Sequence, residues 1–98
     1  MNHGVPPEDM SLIVNEIAGH LGASKNVQIY LYGSRAKGTF RPYSDIDILV
    51  KAEIYDESSL DQIDFSDLDT PYKIDFVLWK DLFEGYRSEV ESHMIRLA

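Results

Sequence analysis

The stretch VQIYLYGSRAKGTFRPYSDIDILV, Val27 to Val50, decides the fold. Its opening VQIYLY is a short β-branched and aromatic run that reads as a strand, and Gly33 stops it. Residues Gly33 to Ser44 hold two glycines, a proline and three cations, so they form a loop with at most one helical turn. A second strand, DIDILV, runs from Asp45 to Val50. The twelve residues between the strands are about the minimum for a parallel crossover, so the pair is expected to be antiparallel.

Outward from this unit, Met10, Ile13, Val14, Ile17, Ala18 and Leu21 repeat with the i, i+3, i+4 rhythm of one buried helical face. The spacing predicts a helix from Pro7 to Leu21, entered through Pro6 and Pro7, with Glu8 and Asp9 at its positive end and Gly22 at its exit. Six of the fourteen residues from Asp56 to Asp69 are acidic, the composition of a solvated face, with Leu60, Ile63 and Leu68 as anchors for a short helix. After the Thr70–Pro71 break, YKIDFVLW (Tyr72 to Trp79) reads as a third strand. Twenty-one residues separate it from the second, enough for a parallel crossover, so a mixed sheet is expected. A last helix is expected to start at a capping box of Asp81 and Glu84 and to bury Leu82, Phe83, Tyr86, Val90, Met94 and Leu97. Gly85 would weaken that helix by roughly 1 kcal/mol relative to alanine. The expected architecture is one α+β domain over residues 1–98, a small mixed sheet covered by helices.

Three features bear chemistry. Gly33-Ser34 directly after a strand lets a backbone approach a ligand closely, and turn amides attract phosphate oxygens. Arg35 and Lys37 add charge to neutralise a polyphosphate. GSRAKGT lacks the spacing of a Walker A loop, and a Gly-Ser pair alone is more often just a turn. Asp45 and Asp47 sit two apart at the head of a strand, so their carboxylates share a face, repel, and suit a hard cation such as Mg²⁺. A solvent-facing acidic pair is the plainer alternative. Asp75 lies inside the apolar run IDFVLW, where an unpaired charge is expensive. It either joins the face of Asp45 and Asp47 or pairs with Lys73 or Arg35.

Composition narrows the partners. With 17 acidic and 9 basic residues the net charge is −8, the wrong sign for gripping nucleic acid by its phosphates. Direct nucleic-acid binding is therefore disfavoured, and metal-chelated small anions or a basic protein are favoured. No apolar run approaches the roughly 20 residues that span a bilayer. The start MNHGVPPEDM lacks a basic region leading into an apolar one, so no signal peptide is expected. The absence of cysteine suits a reducing, cytoplasmic setting and excludes thiolate metal sites. His3, His20 and His93 are too far apart for ligand spacing and read as surface or boundary residues. Tyr30 and Tyr32 read as packing residues and Trp79 as an anchor rather than a base-stacking platform. Tyr43, beside the acidic strand, could line a pocket.

The order of these features, GSRAKGTFRPYSDIDILV followed by KIDFV, resembles the nucleotidyltransferase motif of the DNA polymerase beta superfamily. The brevity of the chain is similar to that of minimal nucleotidyltransferases. The motif covers about twenty residues, and the element order extends the likeness to nearly the whole chain. The resemblance implies an α-β-turn-β-X-β-α fold. It also implies that Gly33 and Ser34 hold a nucleoside triphosphate, that Asp45 and Asp47 bind two Mg²⁺ ions, and that Asp75 completes the metal site and helps activate the acceptor hydroxyl. Arg35, Lys37 or Arg41 would then balance charge on departing pyrophosphate. The implied activity is antitoxin: transfer of AMP from ATP to a tyrosine of a HEPN-type helical partner. A non-catalytic module that neutralises its partner by contact is the alternative; the intact Gly-Ser pair and three aspartates weigh against it. An unrelated Ca²⁺-binding domain lacks the glycine and distal glutamate that its loop requires.

Overall fold

The computed structural model describes residues 3–98. The elements run α1 (Pro7–Ala18), β1 (Gln28–Tyr32), α2 (Ser34–Lys37), β2 (Ile46–Lys51), α3 (Glu57–Leu60), β3 (Ile74–Leu78), α4 (Glu84–His93) and β4 (Ile95–Arg96), with a 3₁₀ turn at Trp79–Asp81 before α4. They build the α+β fold expected, around one four-stranded sheet in the order β3-β2-β1-β4. β1 and β2 pair antiparallel, and β2 and β3 pair parallel, so the sheet is mixed.

The period-two alternation separates two faces. Ile29 and Leu31 of β1 lie opposite Val50 and Ile48 of β2. Together with Ile46 and Leu78 they join Val5, Ile13 and Ile17 in the main core. Each such buried side chain contributes roughly 1.5–3 kcal/mol relative to an exposed one. The other face carries Tyr30 opposite Leu49 and Tyr32 opposite Asp47. Leu49 and Val90 are buried outside the main core. α4 crosses this second face, because Arg87 near its start bonds the Trp79 carbonyl while His93 at its end reaches Gly33.

β1 and β2 differ from the sequence expectation by no more than one residue at either end, and α1, β3 and α4 by more. α1 stops at Ala18 rather than Leu21, since Gly19 and His20 already close it by donating to the Asn15 and Ile17 carbonyls respectively. β3 is shorter than Tyr72–Trp79 because Trp79 enters the 3₁₀ turn. The Asp81–Glu84 capping box does not form: that turn takes Asp81, and α4 starts after Phe83 without a side-chain cap. α4 ends at His93, because the chain then pairs with β1 at Tyr30 and Leu31 as β4. Phe83 and Tyr86, expected in the core, are 69% and 58% exposed and pack edge to face on each other. Trp79 lies between Lys51 and Arg87, 4.7 and 5.5 Å from its ring centre, as an anchor.

Asp56 secures the acidic segment. Its carboxylate accepts from the Ala23 amide, the Ser58 hydroxyl, and the Ser59 amide and hydroxyl, capping α3 and tying it to the loop before β1. These donors, the Ala23 amide first, hold its pKa down at about 2. A depressed carboxylate stabilises the fold above its unfolded value, and that contribution is lost as pH falls from about 4 towards 2. Asp56→Ala is expected to lower the melting temperature by a few degrees at pH 7. The difference from wild type should shrink at pH 2–3, and a constant difference across that range would contradict this role.

Candidate functional site

Three chain segments converge at one end of the sheet: the C-terminal end of β1 and the N-terminal ends of β2 and β3. The register sets Tyr32 opposite Asp47 and Asp47 beside Asp75, so one row across three strands reads Tyr32, Asp47, Asp75. Neighbouring strands lie about 5 Å apart, which keeps these side chains within electrostatic reach. Asp45, two residues before Asp47, belongs to the same face. The sheet therefore brings together the three aspartates whose juxtaposition the sequence left open.

The electrostatics record this crowding. The Asp47 carboxyl is pushed up to about 6, by burial first and then by the charges of Asp75 and Asp45. The Tyr32 phenol is also raised, by burial and by the same Asp47 and Asp75 charges. Among the described residues no ion pair or hydrogen bond neutralises Asp47 or Asp75. Asp45 has only the exposed Lys73, at 3.9 Å. A set of like charges left without a counter-charge fits a divalent cation. The carboxylates do not yet converge as a closed coordination shell: among the described residues no three acidic or histidine side chains are gathered tightly enough to hold a metal.

Gly33 closes the row. Its backbone sits at φ +76°, ψ −154°, a region essentially reserved for glycine. A β-carbon there would stand 2.3 Å from Asp47 Oδ2. The glycine is thus required twice, for its dihedrals and for room beside the carboxylate. Gly33→Ala is expected to destabilise the fold by about 1–3 kcal/mol and to displace Asp47. Urea unfolding would measure the first effect; a variant as stable as wild type would contradict it.

Ser34 opens α2 immediately after Gly33. Lys37, at the other end of α2, is exposed, and its ammonium donates to Glu89 Oε1 at 3.0 Å. That bond holds the Glu89 carboxyl below the usual range. Arg41 is exposed in the turn that Ser44 closes.

Arg35 corrects the sequence expectation. Instead of an exposed phosphate ligand it is a fully buried side chain. Its guanidinium donates to the carbonyls of His3, Pro42 and Ser44. It is stacked 5.0 Å from the ring centres of both Phe40 and Tyr72. A planar five-donor group suits several carbonyls at once. The side chain therefore braces the loop that leads into Asp45, and no donor remains directed at solvent.

Two residues were missed by sequence reasoning. Tyr32 stands in the aspartate row, a position that follows from pairing register and could have been found by extending the hairpin one residue. His93 accepts the Gly33 amide at 3.0 Å across sixty positions, and no local pattern announces it. Tyr43 is 96% exposed and borders a cavity of about 250 Å³ with Pro71, Tyr72 and Lys73, on the Asp45 side of the site. A larger groove, about 450 Å³, lies between α1 and β4 and is lined mainly by apolar side chains such as Val5, Met10 and Leu97. It contains none of the aspartates, and the chemistry belongs at the carboxylate row rather than there.

Residues 13–97 match the family described as nucleotidyltransferase domain. The chain is also similar to a Haemophilus influenzae protein named "Probable protein adenylyltransferase MntA", 32% identical over 62 residues, which are 60% of this chain and 54% of that protein. It thus spans about half the length of that curated relative. A crystal structure from Sulfolobus solfataricus, described as a nucleotidyltransferase, superposes with a TM-score of 0.55 at 23% identity, covering 91% of this chain and 76% of that one. That likeness concerns the fold.

Proposed function

The chain belongs to the nucleotidyltransferase domain family, and on that premise we propose that it transfers AMP from ATP to a hydroxyl group. The observation that carries this reading is the acidic row of Asp45, Asp47 and Asp75 beside the Gly33 turn, with the Asp47 carboxyl raised by burial and then by the charges of Asp75 and Asp45.

In this reading the three aspartates hold Mg²⁺, two ions as the family resemblance implies, and the bound metal supplies charge stabilisation to the triphosphate at in-line displacement. Gly33 gives the triphosphate close access to the backbone, and Ser34 offers it a hydroxyl donor. Asp75 accepts the proton of the acceptor hydroxyl. The acceptor oxygen then bonds to the α-phosphorus, the bond to the bridging oxygen breaks, and pyrophosphate leaves. Lys37 and Arg41 are the exposed cations of the turn and balance charge on that leaving group. Lys37 must first let go of Glu89, an exposed pair worth at most about 1 kcal/mol.

The name of the Haemophilus relative supports a protein as acceptor and adenylate as the group transferred. Following the family resemblance, the acceptor is a tyrosine of a HEPN-type helical partner, and the chain is the antitoxin of a toxin–antitoxin pair. The net charge of −8 suits a protein partner better than nucleic acid. Among the described residues no helix is long and apolar enough to cross a membrane.

Incubation with cell extract, Mg²⁺ and ATP labelled at the α- or γ-phosphate tests the proposal, with an Asp45→Asn, Asp47→Asn control. Label from the α-position alone, lost in the control, is the expected result and marks the acceptor. Label from the γ-position alone would establish a kinase instead. No label from either, together with retained ATP binding, would favour the contact-only module.

A further inference from the structure

α4 touches the Gly33 turn through a residue that the reaction above does not use. His93, the last residue of α4, accepts the Gly33 N–H at Nε2. A backbone N–H can only donate, so Nε2 must present a lone pair and the imidazole proton must sit on Nδ1. Nδ1 is buried and has no hydrogen-bond partner among the described residues. A buried donor left unpaired is a cost that folded proteins rarely carry. Here it accompanies the placing of an acceptor on one backbone amide, that of the glycine lying against Asp47 Oδ2. Four residues earlier, on the same helical face, Glu89 holds Lys37. α4 therefore grips the Gly33–Lys37 segment at both ends.

We propose that His93 is a positioning residue for the nucleotide, its neutral imidazole fixing the Gly33 peptide so that Ser34 and the turn meet the triphosphate in one orientation. The proposal rests on the nucleotidyl-transfer reading of this site. The physical need is specific. The side of Gly33 where a β-carbon would stand lies against Asp47 Oδ2, so a Gly33 peptide released from His93 would be free to turn its N–H towards that carboxylate. An N–H offered there would compete with the cation that Asp47 is meant to hold. Taking the amide from the α4 side keeps the Asp47 oxygens open, and it couples the end of α4 to the phosphate turn.

Calorimetric titration of the full chain with Mg-ATP tests this in wild type, His93→Ala and His93→Gln. Glutamine places a carbonyl oxygen near the position of Nε2 and restores an acceptor, whereas alanine removes it. The expected result is a Kd for Mg-ATP raised about tenfold by alanine and returned to within about twofold of wild type by glutamine. A purely structural histidine would lower the melting temperature of both variants and leave Kd unchanged, and that outcome overturns the proposal. Imidazole ¹⁵N shifts and Gly33 amide exchange in the nucleotide-free wild type give an independent readout. A proton on Nδ1 and a protected Gly33 amide are expected; a proton on Nε2 overturns the proposal whatever the nucleotide does. If that tautomer is found but wild type binds no Mg-ATP, the nucleotidyl-transfer reading itself has failed, and the positioning role falls with it.

Discussion

Replacing Asp47 by asparagine is expected to reduce transfer of α-labelled AMP by on the order of 10³-fold, several kcal/mol of lost charge stabilisation, while making the metal-free protein more stable. The two effects share one cause. Asp47 is half-buried and held beside Asp75 and Asp45, and burial first, then those two charges, raise its pKa from 3.8 to about 6. The native state therefore binds more protons than the unfolded chain between pH 4 and 6, and stability falls as pH rises through that window. Above pH 6 the full penalty is present. An unscreened shift of this size would correspond to about 3 kcal/mol. Asp47 is only half-buried, so solvent screening reduces it to about 1 kcal/mol. The asparagine variant should melt several degrees higher than wild type at pH 7.5 without metal, and the gain should vanish near pH 4. Adding Mg²⁺ with ATP should raise the melting temperature of wild type and leave the variant unmoved. A variant that melts lower at pH 7.5 would mean that Asp47 serves a structural ion pair instead of a repulsive cluster.

Arg35→Ala should be the most damaging substitution to folding, costing about 3–5 kcal/mol. Domains of this size have total stabilities of roughly 5–15 kcal/mol, so a large part of the population could unfold. Alanine would strand the carbonyls of His3, Pro42 and Ser44, which Arg35 satisfies. It would also leave a void between Phe40 and Tyr72. Lysine should be little better, since a compact ammonium cannot reach three carbonyls with the geometry of a guanidinium. Urea unfolding measures the loss. If Arg35→Ala instead stays within about 1 kcal/mol of wild type and loses only Mg-ATP affinity, the arginine faces phosphate after all and the bracing role is wrong.

Arg35 also shows where sequence reading reaches its limit. An arginine directly after a Gly-Ser pair has the right charge and spacing for a phosphate, and local chemistry cannot tell a solvent-facing guanidinium from a buried one. The difference arises because the loop from Thr39 to Ser44 folds back over α2 and presents its carbonyls inward. Lys37, in the same segment, does stay exposed, with its ammonium on Glu89 of α4.

Local composition, spacing and connection length determined a good deal about this protein. The β-branched and apolar runs at 27–32, 45–50 and 72–79, the short connection between the first two and the long one before the third were enough for a mixed sheet, since chain length decides which pairings a connection can close. The i, i+2 spacing of Asp45 and Asp47 placed both on one strand face before any coordinates. Only tertiary structure decided what depends on register and long-range packing. It set Asp75 level with Asp47 and brought Tyr32 into the same row. It left Phe83 and Tyr86 exposed at the start of α4 and diverted the chain after His93 into β4. It also carried His93 to the Gly33 amide. A one-residue slip between strands would leave every local pattern intact and turn Asp75 to the opposite face, so the site is a property of the sheet and not of its motifs.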